Sequence, residues 1–486
     1  MRKRFEQQLA IGGLLIEETP IPIAKRNGAL PALFASLKQI YCDSKWNKRV
    51  FDIIEAKMPS TNKNTGRPGL NLWQIFVLAQ VRLCQNISYD ELHFMTNSNT
   101  LLRQLLGIET KSGFDRVNIG YQRIIDNVGL LNDEMVKELN NLIVEIGHDV
   151  FKKKDDTASR LKTDSFVVES NVHFPTDYNL LWDSARKCID TIVRLEKEGI
   201  LEGWRKKNNW RAELKNKMRV LGRATASGGK TKQDRLKSAA EKYLTKAKAF
   251  YNKVEESIND ISVADAKAMA LIIQLEEYKA LLEKHIDLTE RRILKGEKIP
   301  HDEKLFSIFE QYTEWINKGK MRPNVELGKK VGITTDEYNL IVDYEIMENQ
   351  SDSEIVEFLT QRILAKFKVA SWSFDKGYWS KDNKALLSAQ IETVVLPKKG
   401  KRNASETDEE RQPLFKKLRN KHSAVESNIN ELENRGLNRC PDKGYPNFKR
   451  YVGLAVCAYN LKKIGAQLLE LERQRLKKEQ VHRQVA

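Results

Sequence analysis

Two aspartates and one row of charged side chains carry the chemistry this sequence could perform. Asp375 closes the alternating stretch Phe367–Phe374 and is followed by Lys376-Gly377-Tyr378. Carboxylates at strand ends beside a glycine turn are where α/β sheets hold ligands and metals, although an aspartate there can equally shape a turn. Asp164 falls inside residues 161–170 (Leu-Lys-Thr-Asp-Ser-Phe-Val-Val-Glu-Ser), a run that reads as a strand, where aspartate is disfavoured. In a sheet interior its charge must be paired, hydrogen-bonded or bound to metal; on an edge strand it would simply face solvent. The helix expected over Pro413–Asn434 has an apolar stripe of Leu414, Leu418, Val425, Ile429 and Leu432. Arg419, His422, Glu426 and Glu433 follow one another at three, four and seven residues and share the neighbouring face. Such a row is most often solvated charge. Beside two strand-borne aspartates, a carboxylate from it would complete a trio able to hold two Mg²⁺ ions roughly 4 Å apart for an in-line phosphoryl displacement.

The elements that must position these residues can be read along the chain. Residues 1–60 mix short helical patterns with the loop Thr19-Pro20-Ile21-Pro22, and a turn-rich break over 59–69 ends in Gly66-Arg67-Pro68-Gly69. Leu72, Ile75, Phe76, Ala79 and Leu83 then recur at helical spacing. Ser88-Tyr89-Asp90-Glu91 is a capping box, a third helix runs from Leu101 to Gly107, and a further one covers Asn132–Ile146. Three short helices with tight turns suit a helix-turn-helix DNA reader or a small bundle. From Tyr178 to about Trp315 the chain reads as helix almost throughout. Its stripes Leu236, Ala240, Tyr243, Ala247, Phe250, Val254 and Ala264, Ala268, Leu271, Leu275, Tyr278, Leu282 predict an antiparallel helical pair. Strand signals return as a hairpin over Val325–Thr335 and Asn339–Ile346. A helix over 353–365, the strand 367–374, a helix over 380–389, the strand 391–396 and a loop over 397–413 follow.

The expected fold class is therefore α/β, a mixed sheet with a large all-α insertion between its first two strands, preceded by an all-α region. The corresponding domains are 1–150 (helical), 155–178 with 316–470 (sheet-bearing), 179–315 (inserted helices) and a basic tail over 471–486.

Lys plus Arg number 83 against 66 Asp plus Glu, a formal charge of +17 that favours a polyanionic partner. Nucleic acid and membrane surfaces both qualify on charge. No apolar run approaches the ~20 residues a bilayer span needs. The basic start Met1-Arg2-Lys3-Arg4 leads only to the short Leu9–Ile16 stretch and then Glu17-Glu18, a poor signal peptide. Cysteines 42, 84, 188, 440 and 457 are scattered, which fits a reducing cytoplasm. Between Trp204 and Lys232 there are basic residues at 205, 206, 207, 211, 215, 217, 219, 223, 230 and 232 against Glu213 alone, interleaved with Trp204 and Trp210. That composition suits either a DNA backbone with unstacked bases or a solvated segment with two core tryptophans.

Three blocks together resemble the catalytic blocks of DDE-type bacterial insertion-sequence transposases: Thr163–Asp177, Phe374-Asp375-Lys376-Gly377-Tyr378, and His422–Glu426 continuing to Arg435-Gly436-Leu437-Asn438-Arg439-Cys440. The closing stretch Phe448–Leu461 and the Gly66–Gly69 break with its helices are similar to the ends of such proteins. The resemblance implies a ribonuclease-H-like catalytic domain with Asp164, Asp375 and Glu426 as ligands of two Mg²⁺ ions, Mn²⁺ being an alternative. Glu431 and Glu433 are the substitute third ligands. It implies strand cleavage at element ends and attack of the freed 3′-hydroxyl on target DNA. Implied partners are terminal inverted repeats, target DNA and a second copy or larger assembly, in a bacterial, nucleoid-associated cytoplasmic setting with no membrane. His422 departs from the pattern, since many relatives carry arginine four residues before the glutamate. The DNA-contacting set expected is Arg67, Arg205, Lys206, Lys207, Arg211, Arg219, Arg419 and His422. Two other functions remain compatible: a structure-specific nuclease of the same fold, and a non-catalytic DNA-binding descendant of a transposase. Glu169, His173 and Asp177 carry no assigned role, and Thr176 or Asp177 caps the helix beginning near Tyr178.

Overall fold

The computed structural model describes all residues except 1–2, 6, 8–14, 24–27, 59–68, 109–116, 155–156, 260, 262–265, 318–323 and 486, and the side chains of 483–485. Among the described residues seven α-helices come first: α1 (Ala29–Cys42), α2 (Ser44–Ala56), α3 (Leu72–Gln85), α4 (Tyr89–Ser98), α5 (Thr100–Leu105), α6 (Tyr121–Val128) and α7 (Asp133–Val150). Their starts follow the local chemistry. Asn71 with Gln74 and Ser88 with Glu91 form capping boxes, and Asn132 caps α7 through Met135 N. Every residue of α3 from Leu72 to Cys84 is buried. Leu102–Leu105 of α5 are buried too, and the Arg103 guanidinium is spent on the carbonyls of Val117 and Ile108. The third helix of the expected DNA-reading trio thus faces the core, where it cannot enter a groove.

The sheet begins with β1 (Ser159–Ser170). After the helical segment come β2 (Glu314–Asn317), β3 (Val325–Thr335), β4 (Ile341–Ile346), α12 (Val356–Leu364), β5 (Val369–Phe374), α13 (Lys381–Gln390), β6 (Thr393–Val395), α14 (Ala404–Arg411), α15 (Pro413–Leu432), β7 (Arg439–Cys440) and α16 (Tyr445–Val485). The order is β2-β3-β1-β5-β6, with β4 also pairing β3 and β7 also pairing β1. β1 runs antiparallel to β3 and β3 antiparallel to β4; β5 and β7 are parallel to β1, and β6 to β5. The expected hairpin is β3–β4. Four elements lay outside the sequence reading: α6, β2, β7, and α14 within the expected loop, where Asn403 and Glu406 form a capping box.

Residues 1–171 and 316–486 form one compact unit, and 172–315 a second. The sequence separates the N-terminal helices from the sheet at 150; in the structure α16 packs against α1, α3 and α7 as well as β4, so both belong to one unit. The expected boundary of a tail at 471 is also absent, because α16 continues to Val485 as one helix. Side-chain amides tie this unit together. Asn460 donates to Asn140 Oδ1 at 2.8 Å and to Ile341 O at 2.9 Å while accepting from Ile341 N at 2.8 Å, joining α16, α7 and β4. Arg82 of α3 makes a two-pronged pair with Asp442 at 3.0 and 2.6 Å. The helix expected over Pro413–Asn434 ends at Leu432, and a π turn over Glu433–Leu437 follows, in which Gly436 has a φ of +106° that suits glycine.

The second unit holds α8 (Asp177–Lys197), α9 (Lys207–Ala226), α10 (Lys232–Asn259) and α11 (Ala266–Thr289), continued by a π turn, Glu290–Leu294. Ala240, Tyr243, Ala247, Phe250 and Val254 are buried with Leu275 and Leu282, as the stripes require. α11 packs along α8 as well as α10, so the pair is part of a larger bundle. Helix ends at Leu294, short of the expected Trp315. Gly296, at φ +70°, and Pro300 break it. Thr176 is the α8 cap, accepting from Asn179 N at 3.3 Å. Among the described residues no helix is long and apolar enough to cross a membrane.

Candidate active site

β1 lies between β3 and β5, so Asp164 sits in the sheet interior rather than on an edge. Leu161 pairs with Trp372 and Thr163 with Phe374 in parallel register, and one step further places Asp164 beside Asp375. Adjacent strands are about 4.8 Å apart, so both carboxylates start from neighbouring backbone positions. The two-residue period sets their direction. Leu161, Trp372 and Phe374 are buried in the cluster that includes Val356, Leu359 and Leu387 of α12 and α13. On the same face Trp372 Nε1 donates to Thr163 Oγ1 at 2.8 Å, and Thr163 and Thr334 share a hydrogen bond of 2.7 Å. The alternate residues Lys162, Asp164, Ser373 and Asp375 therefore point to the opposite face, where α15 lies.

α15 packs over β1, β5 and β6. Phe415, Val425, Ile429 and Leu432 are buried, whereas Leu414, expected in the stripe, is 54% exposed; the helix is phased so that its neighbour Phe415 faces inward. The tie to the sheet is His422, whose Nδ1 shares a 3.0 Å hydrogen bond with Ser373 Oγ. Burial, opposed by the charge of Asp375 and reinforced by Lys162, lowers the His422 pKa to about 4, so the ring is neutral near pH 7. A neutral, half-buried imidazole offers a phosphate no charge. Its place in the structure is a peg, two residues before Asp375 on one side and one helical turn before Glu426 on the other.

The acids converge electrostatically. Burial raises the Asp164 pKa to about 7; Ser165 N, donating at 2.7 Å, opposes this, and the charges of Asp375, Asp352 and Glu426 add to it. Asp375 and Glu426 thus both bear on Asp164. Hard oxygen donors of this kind suit Mg²⁺ or Mn²⁺. As the side chains stand, no three of His, Cys, Asp or Glu among the described residues are gathered closely enough to hold one ion. Asp375 also accepts a long bond from Gly377 N, capping the short turn Lys376–Tyr378.

Asp352 was not anticipated. It accepts from Ser165 Oγ at 2.6 Å and pairs with Lys330 Nζ at 3.2 Å. A Cβ on Gly377 would approach its Oδ2 to 2.9 Å. One carboxylate therefore touches the residue after Asp164 and the glycine two after Asp375. Tyr378 is buried beside it with its hydroxyl unpaired. In sequence, Ser351-Asp352-Ser353-Glu354 reads as an ordinary helix lead-in, and nothing local marks it. Arg160, Lys162 and Lys421 were also missed; they line a cavity of about 110 Å³ with Glu337, Ser373 and Leu418.

The remaining expected residues are dispersed. Glu431 is engaged by Lys462, Lys463 and Arg435, and Glu433 belongs to the π turn beyond α15. Arg419 is exposed, 3.8 Å from Glu410. Arg205, Lys206 and Arg219 are exposed in the second unit, while Lys207 pairs with Glu196 and Arg211 with Asp190. Trp204 is a core residue bonded to Ser257 Oγ, and Trp210 lies half-buried against Phe250. Arg67 lies outside the described residues. His173 pairs with Asp183, and Asp177 with Arg292. No family model, no curated protein and no solved structure matches this chain.

Proposed function

We propose that the chain is a DDE-type DNA transposase whose sheet and α15 form a ribonuclease-H-like catalytic domain. The observation that carries this reading is that the strand register sets Asp164 beside Asp375, more than two hundred residues away in sequence, and that the charges of Asp375 and Glu426 both bear on its carboxyl. The sheet order, antiparallel on the β3 side of β1 and parallel on the β5 side, supports the same fold. Asp164, Asp375 and Glu426 would hold the divalent ions, which when bound supply an activated hydroxyl and stabilise the leaving oxygen.

The chain's own residues contribute positioning and charge. The strand register sets Asp164 against Asp375, and the His422–Ser373 bond fixes the level of α15 and hence of Glu426. Arg160, Lys162 and Lys421 offer positive charge to a phosphodiester lying along that face. The net charge of +17 favours DNA as the partner. Two DNA ends must be joined for transposition, so the working form is a dimer or larger assembly.

The test is metal-dependent nicking of the short inverted repeats flanking the gene. Mg²⁺ or Mn²⁺ should support cleavage, Asp375→Ala should abolish it, and the cut end should appear joined to a second duplex. Cleavage retained in Asp375→Ala removes that residue from the centre. Cleavage without joining would make the protein a nuclease.

A further inference from the structure

α14 is an acidic helix with no apolar anchor: none of its eight residues is buried. A cavity of about 110 Å³ is lined both by its Glu406, Glu409 and Glu410 and by the apolar side chains of Trp379, Leu396 and Phe415. This side of the helix therefore meets a gap rather than a packed apolar surface. What holds α14 is charge. Lys398 Nζ donates to both Glu406 oxygens at 2.7 Å, Arg402 Nε to Glu410 at 2.7 Å and Lys384 Nζ to Glu409 at 2.5 Å. Arg419 stands 3.8 Å from Glu410, and the Lys398 N–H adds a 3.1 Å bond to the same carboxylate. The cations come from three places. Lys384 lies on α13, Lys398 and Arg402 in the loop after the end strand β6, and Arg419 on α15.

Cations from separate elements that converge on one short run of carboxylates have the layout of a phosphodiester site occupied by the protein's own acids. Each pair is partly open to solvent, and such a pair shifts an equilibrium by a factor of about five at most. A helix this short also has little stability of its own once detached. The hold is therefore weak, salt-sensitive and specific to negative charge. A DNA backbone offers the same cations phosphates and releases its counterions on pairing with them. We propose that Lys384, Lys398, Arg402 and Arg419 form a surface for the backbone of duplex DNA, which α14 covers in the free protein and leaves when the duplex binds. The choice of DNA rests on the proposed function, but the masking needs none of the carboxylates on the sheet.

The experiment uses the full chain in EDTA, so that cleavage is silent, and follows hydrogen–deuterium exchange of the amides of 408–411 with and without a saturating duplex. Bound DNA slows exchange where it touches, yet these amides should exchange about tenfold faster or more in the complex. Raising KCl on the free protein should speed the same amides. Glu409→Gln with Glu410→Gln removes two of the holds, and duplex affinity, read by anisotropy, should rise about three- to tenfold. Asp408→Asn with Glu392→Gln removes the same charge from exposed positions outside these pairs, and screening should keep its gain to about twofold or less. Arg402→Gln should weaken duplex binding and reduce the salt dependence by about 0.9 in logarithmic slope. Slowed or unchanged exchange of 408–411 in the complex overturns the inference, as does an equal gain from the two double variants. Asp375→Asn should release α14 as the parent does. A chain that cuts DNA in Mg²⁺ with α14 still protected keeps the proposed function and loses this inference; one that releases α14 and never cuts does the reverse.

Discussion

Asp164 should make the metal-free protein less stable than it could be. Its carboxyl titrates at about 7 instead of the ordinary 3.8, first because it is buried and then because Asp375, Asp352 and Glu426 surround it. A raised acid favours the protonated folded state. Its stabilising contribution is complete below pH 3.8 and is lost as pH rises through 7, so at pH 8 the full cost of the charge is felt. The displacement corresponds to about 4 kcal/mol, and solvent relaxation around a half-buried group brings the expected effect to roughly 2–4 kcal/mol. Asp164→Asn keeps the shape and removes the charge. In EDTA at pH 8 it should melt several degrees above the parent, and near pH 4 the two should coincide. Adding Mn²⁺ should reverse the order, raising the parent and leaving the variant unchanged. Calorimetry with and without metal at both pH values checks this. Equal melting at pH 8 in EDTA, or equal stabilisation of both proteins by Mn²⁺, would refute the placement of Asp164 in a crowded acidic centre.

Three other outcomes are expected. His422 and His285 are both held near pKa 4 by burial, so the stability they permit is present above pH 6.5 and lost as pH falls toward 4. His422→Leu should flatten that acid limb in a pH series of denaturant melts. Asp352→Ala removes the acceptor of Ser165 and the partner of Lys330, and should lower the cleavage rate by roughly 10–100-fold, with melting within about 1 kcal/mol of the parent. A fall in stability without a change in rate would assign Asp352 to the fold alone. Gly465→Ala places a Cβ 1.6 Å from the carbonyl oxygen of Ala32, where α16 crosses α1, and should cost about 3 kcal/mol or more in chemical denaturation.

What the sequence made legible was local or periodic. The strand over 161–170, the Ser88–Glu91 box and the buried stripe of α10 need only near neighbours, and each stands in the structure. Asp164 and Asp375 were found because a carboxylate in or at the end of a strand is anomalous. Asp352 was not, because its meaning lies in Ser165 and Gly377, 187 residues before it in the first case. Trp204 was misleading for a related reason: a tryptophan among lysines looks the same whether its ring is stacked on a base or packed on Phe250. Only the first position of the α15 stripe was misplaced, since Leu414 and Phe415 are both apolar and only the sheet beneath decides between them. β2 and α14 escaped notice because one is four residues long and the other, charged at five of its eight positions, has no buried face.

The antiparallel partners β1 and β3 are separated by the whole of the second unit, and α1 and α3 find their cover in α16. During synthesis the helices of 177–294 can close on themselves early, while β1 waits for its strand neighbours and the first helices wait for the last one. Glu426 reaches its aspartates only after nearly all of the polypeptide has emerged. A nascent chain, or one truncated before α15, therefore lacks the assembled carboxylate cluster.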